Sequence, residues 1–294
     1  MPPITNGLPA GPRGGGRLAG VSLVVAAALS MNFGSAVATL LFPRAGALGV
    51  VTLRLVLSAL LLIAICRPRL RGHDRSDWAV VCGFGLALGA MNLLFYQAID
   101  RIALGPAVTL EVLGPLALSV VSARRPASYL WAGLALVGVF LLGGGGFGAL
   151  DPAGAAFALG AGAMWAAYIL MSSRVGASFP NADGLALAMG VAALITLPLG
   201  IASAGGNLVD PMTLGLGLAV AVLASGLPYT LELLALRRLP AGTFAVLMSL
   251  APAIAGLAGL LVLGQTLTAM QCVAISMVVT ASLGAVLSTP QRGM

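Results

Sequence analysis

The chain has 294 residues, of which 60% are hydrophobic and only 8% are charged. Soluble domains carry about 25% charged residues, so a soluble core could not enclose this much apolar surface, and lipid must surround most of the chain. The net charge is +7, and all fifteen basic residues are arginine. Their positions follow membrane topology, so the charge does not indicate a nucleic-acid-binding surface.

Residues 1–17 are rich in proline and glycine, and we predict a disordered cytoplasmic N-terminus there. Ten apolar runs follow, separated by short loops that are polar or contain proline and glycine. Each run is close to the roughly 20 residues that an α-helix needs to cross the hydrocarbon core. The sequence therefore predicts an all-α membrane protein with ten transmembrane helices. The predicted spans are 18–42, 47–66, 78–99, 103–122, 128–145, 152–172, 184–203, 213–236, 242–263 and 268–288.

The arginines indicate which loops face the cytoplasm, because cytoplasmic loops are enriched in basic residues. Ten helices place both termini on one side of the membrane. If that side is cytoplasmic, the inner segments hold twelve arginines, the outer loops hold only Arg44 and Arg101, and Arg54 falls within a span. We therefore predict a multi-pass protein of the bacterial cytoplasmic membrane, with both termini, including a tail at residues 289–294, in the cytoplasm.

The two halves of the chain resemble each other at a shift of 137 residues, which aligns residues 98–121 with 235–258. The most informative identities are Gly105 with Gly242 and Pro115 with Pro252. We predict two five-helix repeats, residues 18–149 and 150–288. Since five is odd, the second repeat is inverted relative to the first. Inverted repeats are typical of secondary transporters, whose sites lie near the bilayer midplane at the repeat interface.

One carboxylate, Glu111, lies deep inside a predicted span, where an isolated charge costs at least about 2.5 kcal/mol. Pro115 follows four residues later and has no N–H to donate to the Glu111 carbonyl, so a carboxyl and a free carbonyl lie at one level. Arg54 lies at a similar depth in its own span. Two interpretations stay open: a structural kink with a buried Glu111–Arg54 pair, or the lining of a substrate or proton path.

A second carboxylate, Glu232, follows Pro228 by four residues and lies toward the cytoplasmic end of its span. It is within reach of Arg237 or Arg238, so a local stabilising role and a functional role are both open. A carboxyl desolvated in the membrane can load and release a proton within the physiological range, as coupling to a proton gradient requires.

Polar and aromatic side chains recur at helical spacing inside the spans, and each could simply pack or form an interhelical hydrogen bond. Together they could line a cavity for a small amphiphilic solute. The residues are Asn92, Tyr96, Trp165, Tyr168 and Tyr229. The single histidine, His73, is in a predicted loop and the three cysteines are scattered, so we expect neither a metal nor a cofactor.

Several stretches resemble a known family. MNLLFYQAIDRIALGPAVTLEVLGPLALSVVSARRP, LGAGAMWAAYILMSSRVG, LPYTLELLALRRLPAGTFAVLMSLAPA and LGQTLT are similar to the EamA-domain branch of the drug/metabolite transporter superfamily, and within it to the threonine/homoserine exporters. The resemblance covers nearly the whole chain after residue 17. It implies ten helices in two inverted repeats and export of small amino acids by proton exchange. Glu111, Glu232 and Arg54 fall on charged positions of the family's pattern.

The chain departs from that pattern at Ala251 and Gln265, where relatives often carry glutamate. Either a model that gives those two carboxylates a role in every member fails for this protein, or its coupling differs. The substrate is less defined than the fold. We expect the protein to interact with the lipid bilayer, with an amino-acid or metabolite substrate and with protons, and not with nucleic acid. We expect it to be a monomer or a homodimer. Two alternatives are export of other metabolites or drugs and a non-transporting helper role. An intramembrane protease would need a histidine or two aspartates within the spans, and the predicted spans contain neither.

Overall fold

The computed structural model describes residues 14–70, 72–123, 126–142, 150–179, 182–236, 238–239 and 241–288. In these ranges the regular structure is helical throughout, and no strand is present. The helices are α1 (Gly14–Thr39), α2 (Phe42–Cys66), α3 (Arg75–Ile99), α4 (Leu104–Glu111), α5 (Leu113–Ala123), α6 (Pro126–Leu142), α7 (Pro152–Ser178), α8 (Asp183–Ala204), α9 (Pro211–Ala221), α10 (Leu227–Leu236), α11 (Ala241–Met248), α12 (Ala251–Leu263) and α13 (Ala269–Ser288).

The helices confirm the predicted all-α membrane fold. Nine helical stretches of the described residues are long and apolar enough to cross a bilayer, and Tyr129–Leu142 within α6 is a shorter apolar helix. Three of the ten spans are built from more than one helix: α4 with α5, α9 with α10 through a π-helical turn at Val222–Gly226, and α11 with α12. The protein is therefore a multi-pass membrane protein.

The predicted loop at residues 43–46 is wrong, because α2 already begins at Phe42. Pro43 lies in the first turn of α2, where a helix needs no N–H from it, so the proline starts the helix instead of breaking it. Within the predicted loop, only Gly46 has a non-helical backbone, and its φ of 66° kinks α2. Residues 14–17, which were predicted to belong to a disordered N-terminus, form the start of α1 instead. Residues 1–13 and 289–294 lie outside the described residues.

Two aspartates cap helices at the ends of spans. Asp151 accepts hydrogen bonds from the backbone N–H groups of Ala153 and Gly154 at the start of α7. Asp210 accepts from the backbone N–H of Thr213 at 2.9 Å and from its hydroxyl at 3.0 Å at the start of α9, and these bonds lower the pKa of Asp210. These carboxylates thus stabilise helix ends outside the membrane-spanning segments.

The helices of one half pair with those of the other. α2 packs on α8, α6 on α13, and the span of α4 and α5 on the span of α11 and α12, through α4 and α12, so these three pairs join equivalent spans of the two halves. The contact between α3 and α7 has its equivalent in the contact between α1 and α10. Exchanging the halves therefore leaves the set of pairs unchanged, as two five-helix repeats would require. The repeat boundaries at residues 149 and 150 stay a prediction.

Buried apolar side chains fill the end of the bundle away from the termini. Leu41, Ile102, Leu104, Leu142 and Leu208 lie near the helix ends on that side, and all belong to the main buried cluster. Long apolar side chains close this end. The main cavity of the described residues lies between the middle of the bundle and the opposite end.

Candidate functional site

A cavity of about 560 Å³ lies between the two halves and is lined by side chains from both. It includes most of the polar residues selected from the sequence. Those lining it are Arg54, Asn92, Glu111, Pro115, Trp165, Tyr168, Tyr229 and Glu232. Three others are placed nearby without lining it: Tyr96, Pro228 and Pro252.

The helix break at Glu111 forms as the sequence predicts. Helix α4 ends at Glu111 and α5 begins at Leu113. Pro115 has no N–H for the Glu111 carbonyl, whereas the next residue, Leu116, still donates to the Val112 carbonyl at 3.2 Å. Backbone with a free carbonyl is tolerated at this depth only where protein or a cavity accommodates it. Here the break faces the cavity, and the Glu111 side chain lines it.

The ion pair between Glu111 and Arg54 that their equal depth suggested does not form. Among the described residues, no cation lies within ion-pair distance of the Glu111 carboxyl, and no hydrogen bond reaches it. Depth along the bilayer normal fixes only the height of a side chain. The rotation of each helix about its own axis, which packing decides, turns the Arg54 guanidinium toward another helix.

Two glycines, Gly114 in the broken span and Gly162 in α7, allow the broken span and α7 to approach each other closely. A Cβ added at Gly162 in α7 would overlap the Glu111 carbonyl oxygen, and one added at Gly114 would overlap the Gly162 carbonyl. The carbonyl freed by Pro115 therefore lies against the bare Cα of Gly162, an approach that a residue with a side chain would block. Nothing in the sequence pattern marked Gly162, because 40 glycines are spread along the chain.

Arg54 is 2% exposed and bridges α2 to the span of α9 and α10. Its Nε donates to the Ser225 hydroxyl at 3.1 Å, and its Nη2 donates to the Ala224 carbonyl at 2.8 Å. Its Nη1 donates to the Tyr96 hydroxyl at 3.3 Å, and the Tyr96 ring centroid lies 5.5 Å from the guanidinium carbon. The sequence did not identify Ser225 or Ala224 as partners.

Glu232 also faces the cavity. Within the described residues its carboxyl has no ion-pair partner and accepts no hydrogen bond. Of its two predicted partners, Arg238 is exposed and unpaired with it, and Arg237 lies outside the described residues. On the same wall, the Tyr168 ring stacks on Phe84 with centroids 4.8 Å apart, which holds one aromatic side of the cavity in place.

The cavity lining repeats at the same shift of 137 residues that related the halves in sequence. Eight pairs of lining residues are 137 positions apart. The pairs are Ala28/Trp165, Met31/Tyr168, Asn32/Ile169, Ser35/Ser172, Asn92/Tyr229, Phe95/Glu232, Glu111/Met248 and Val112/Ser249. Applying the shift to every polar position would have found Ser35 and Ser172, which sequence reasoning missed. In each pair with a carboxylate, only one member is charged.

The Gln265 side chain makes a structural hydrogen bond. Its Oε1 accepts a hydrogen bond from the backbone N–H of Leu104, the first residue of α4, at 3.0 Å. A helix end needs an acceptor there, and a neutral amide supplies one as well as a carboxylate does. Gln265 thus joins the two halves at the closed end of the bundle.

The chemistry of the site is that of a binding chamber. It combines a buried guanidinium, two carboxyls without partners and aromatic and aliphatic walls, a set suited to a small solute that carries both charges. Among the described residues, no three histidine, cysteine or acidic side chains converge to hold a metal ion.

Known proteins share this sequence and architecture. Residues 152–287 match the EamA-like transporter family. Two proteins described as threonine/homoserine exporter RhtA are similar over 270 residues: that of Salmonella typhimurium is 44% identical and that of Escherichia coli 43%, each over 91% of both chains. One crystal structure of a protein aligns over 95% of this chain and 100% of its own, with a TM-score of 0.58 and 18% identity, which shows the fold alone.

Proposed function

Since the chain belongs to the EamA-like transporter family, we propose that it exports small amino acids resembling threonine and homoserine from a bacterial cell. The relatives named above are exporters of these two amino acids by description, and their similarity extends over nine-tenths of each chain. The protein spans the cytoplasmic membrane with both termini inside, as the arginine asymmetry favours. With that orientation the cavity is the loading chamber of an exporter, because its packed end faces outward.

Proton exchange drives the export, with Glu111 as the group that binds the proton. The observation that supports this step is the Glu111 carboxyl itself, which lines the cavity at a helix break with no cation within ion-pair distance and no hydrogen-bond donor among the described residues. A proton and the ammonium group of an amino acid compete for such a carboxylate. The solute is loaded from the cytoplasm when Glu111 is ionised and is displaced when a proton enters from outside.

Glu232 gives the ammonium group a second carboxylate nearer the cytoplasmic end of the same cavity. Asn92, Trp165, Tyr168 and Tyr229 supply the neutral walls, and the breaks near Pro115 and Pro252 let the two broken spans bend. The cavity is lined by residues of one chain, so a monomer suffices for transport, and a homodimer would hold two such pathways.

Purified protein in liposomes tests both parts of this proposal. Wild-type protein is expected to exchange labelled threonine across the membrane. It is also expected to accumulate threonine when a pH gradient drives the exchange, until an ionophore collapses that gradient. Glu111→Gln is expected to lose accumulation driven by the pH gradient. It should retain weakened threonine counterflow, which needs no proton and still has Glu232 to bind the ammonium group. Asp210→Asn is the matched control, because it also neutralises a carboxylate but leaves a good helix cap outside the cavity.

The outcomes separate transport from coupling. Unchanged gradient-driven accumulation in Glu111→Gln rejects the proton role and leaves amino-acid export standing. No threonine or homoserine movement with wild-type protein rejects the substrate, and labelled-amino-acid efflux from intact cells with and without the protein then distinguishes another exporter from a helper without transport activity.

A further inference from the structure

We infer that Arg54 binds the carboxylate group of the transported amino acid, and that the π-helical turn at Val222–Gly226 holds its guanidinium in position for this. The inference rests on the proposed function and specifies which atoms of the solute the site recognises. Arg54 lines the cavity and is the only cation that the sequence places within a span.

The guanidinium is oriented by three hydrogen bonds and still has donors to spare. An arginine side chain has five N–H bonds, one on Nε and two on each terminal nitrogen. Nε, Nη1 and Nη2 each use one N–H, toward Ser225, Tyr96 and Ala224 respectively. One N–H on Nη1 and one on Nη2 are left without a partner among the described residues. A carboxylate has two oxygen atoms and can accept a charge-assisted hydrogen bond from each of these donors.

Pro228 and the π-helical turn account for the acceptor that Arg54 uses. Pro228 has no N–H to donate to the Ala224 carbonyl four residues earlier, and the turn is wound more loosely than an α-helix. The Ala224 carbonyl and the Ser225 hydroxyl are both directed at Arg54, which crosses from α2 to meet them. Pro228 and the π-helical turn before it therefore position a binding residue.

Charge balance favours an anionic ligand at this place. A buried cation is normally paired with an anion, and no carboxylate lies within ion-pair distance of Arg54 among the described residues. All three of its partners are neutral oxygen atoms. The two charges of an amino acid complement those of the cavity. Its carboxylate pairs with Arg54, and its ammonium group pairs with Glu111 or Glu232.

The first test compares ligands on the wild-type protein. Threonine and 1-amino-2-propanol, which is threonine without its carboxyl group, compete against labelled threonine in counterflow. Because charge-assisted hydrogen bonds are lost, we expect the amine to need a concentration about 10- to 100-fold higher for equal inhibition. Threonine methyl ester, which keeps the ammonium group but has no negative charge, is expected to behave like the amine. Equal inhibition by threonine and the amine overturns the inference.

The second test asks whether Arg54 causes the discrimination. In Arg54→Gln the ratio between the two inhibitory concentrations is expected to fall toward one. In Arg54→Lys it is expected to be intermediate, because lysine keeps the charge but loses the planar pair of donors. A purely structural role for Arg54 would weaken both ligands alike and leave the ratio at its wild-type value, which would also overturn the inference.

Ser225→Ala keeps the test decisive if the Arg54 variants do not fold. It removes one acceptor that orients the guanidinium, and we expect a several-fold higher KM for threonine with a reduced amine-to-threonine ratio. Ser58→Ala is the matched control, because the Ser58 hydroxyl also reaches the neighbouring span, at the Ala221 carbonyl, but does not line the cavity. Equal ratios in the two serine variants and wild type contradict the inference, whereas absence of threonine transport by wild type contradicts the proposed function.

Discussion

The two broken spans of the protein are equivalent in backbone and different in chemistry. In the first, α4 ends at Glu111 and α5 begins at Leu113; in the second, α11 ends at Met248 and α12 begins at Ala251. Pro115 and Pro252 follow the two break sites at the same distance. The proline is a shared part of the architecture, since in both halves it removes the same hydrogen bond.

The side chains at the two breaks differ in charge and in packing. The carboxyl of Glu111 has Met248 as its counterpart, so only the first break offers an ionisable group to the cavity. Gly114 and Gly162 hold the first break against α7, whereas the residues 137 positions away are Ala251 and Val25. A nearly symmetric scaffold thus presents an asymmetric site, as a transporter needs if one group is to exchange a proton.

Removing the charge difference is expected to have the largest effect. Glu111→Met gives both breaks the same side chain, and gradient-driven accumulation of threonine in liposomes should disappear because no group at the break can bind a proton. Met248→Leu, a substitution of nearly equal volume at the equivalent position, should leave transport close to wild type. A Glu111→Met protein that still responds to the pH gradient would show that the asymmetry is not functional.

Disturbing the glycine contact is expected to destabilise the first break. Gly162→Ala places a methyl group on the Glu111 carbonyl and should lower the unfolding free energy by about 1–3 kcal/mol through overpacking. The melting temperature in detergent measures this. Gly176→Ala in the same helix has no atom within 4 Å of its new methyl group and should be neutral or raise the stability by up to about 1 kcal/mol. Equal melting temperatures for the two variants would contradict the close approach.

Restoring a backbone donor at each break separates the two prolines. Pro115→Ala returns an N–H within reach of the Glu111 carbonyl, and the tighter turn should shift the Glu111 carboxyl and reduce transport several-fold. Pro252→Ala acts beside the uncharged Met248 and should reduce transport less. Initial rates of threonine counterflow, at matched protein amounts, compare the two. A larger loss in Pro252→Ala would show that the second break moves more than the first.

The smallest effect is expected at Gln265. Gln265→Ala removes the acceptor for the Leu104 N–H and should lower stability by about 0.5–2 kcal/mol, the usual cost of losing a helix cap. Gln265→Glu restores an acceptor and should recover most of the melting temperature without a change in the pH dependence of transport. A new pH dependence in Gln265→Glu would indicate that this position takes part in coupling.

Much of the architecture could be predicted from the sequence, because lipid imposes simple rules. Apolar runs of about 20 residues must be spanning helices. A proline inside such a run removes a hydrogen bond wherever the helix lies, so the breaks near Pro115 and Pro252 were predictable. Pro43 misled the prediction, since its effect depends on whether it begins a helix or interrupts one. Membership of the site was also predictable for Glu111 and Glu232, because carboxylates are rarely placed in lipid without a cavity.

Only the tertiary structure decided which of these groups meet. Residue position along a span fixes the height of a side chain in the bilayer, and by height Arg54 could have paired with Glu111. Helix rotation and close packing gave Arg54 the Ala224 carbonyl, Ser225 and Tyr96 instead, and left the Glu111 carboxyl without an ion pair or a hydrogen bond among the described residues. The sequence alone therefore determined the spans, the breaks and the charges available, whereas packing between the two halves determined which charges face the cavity unpaired.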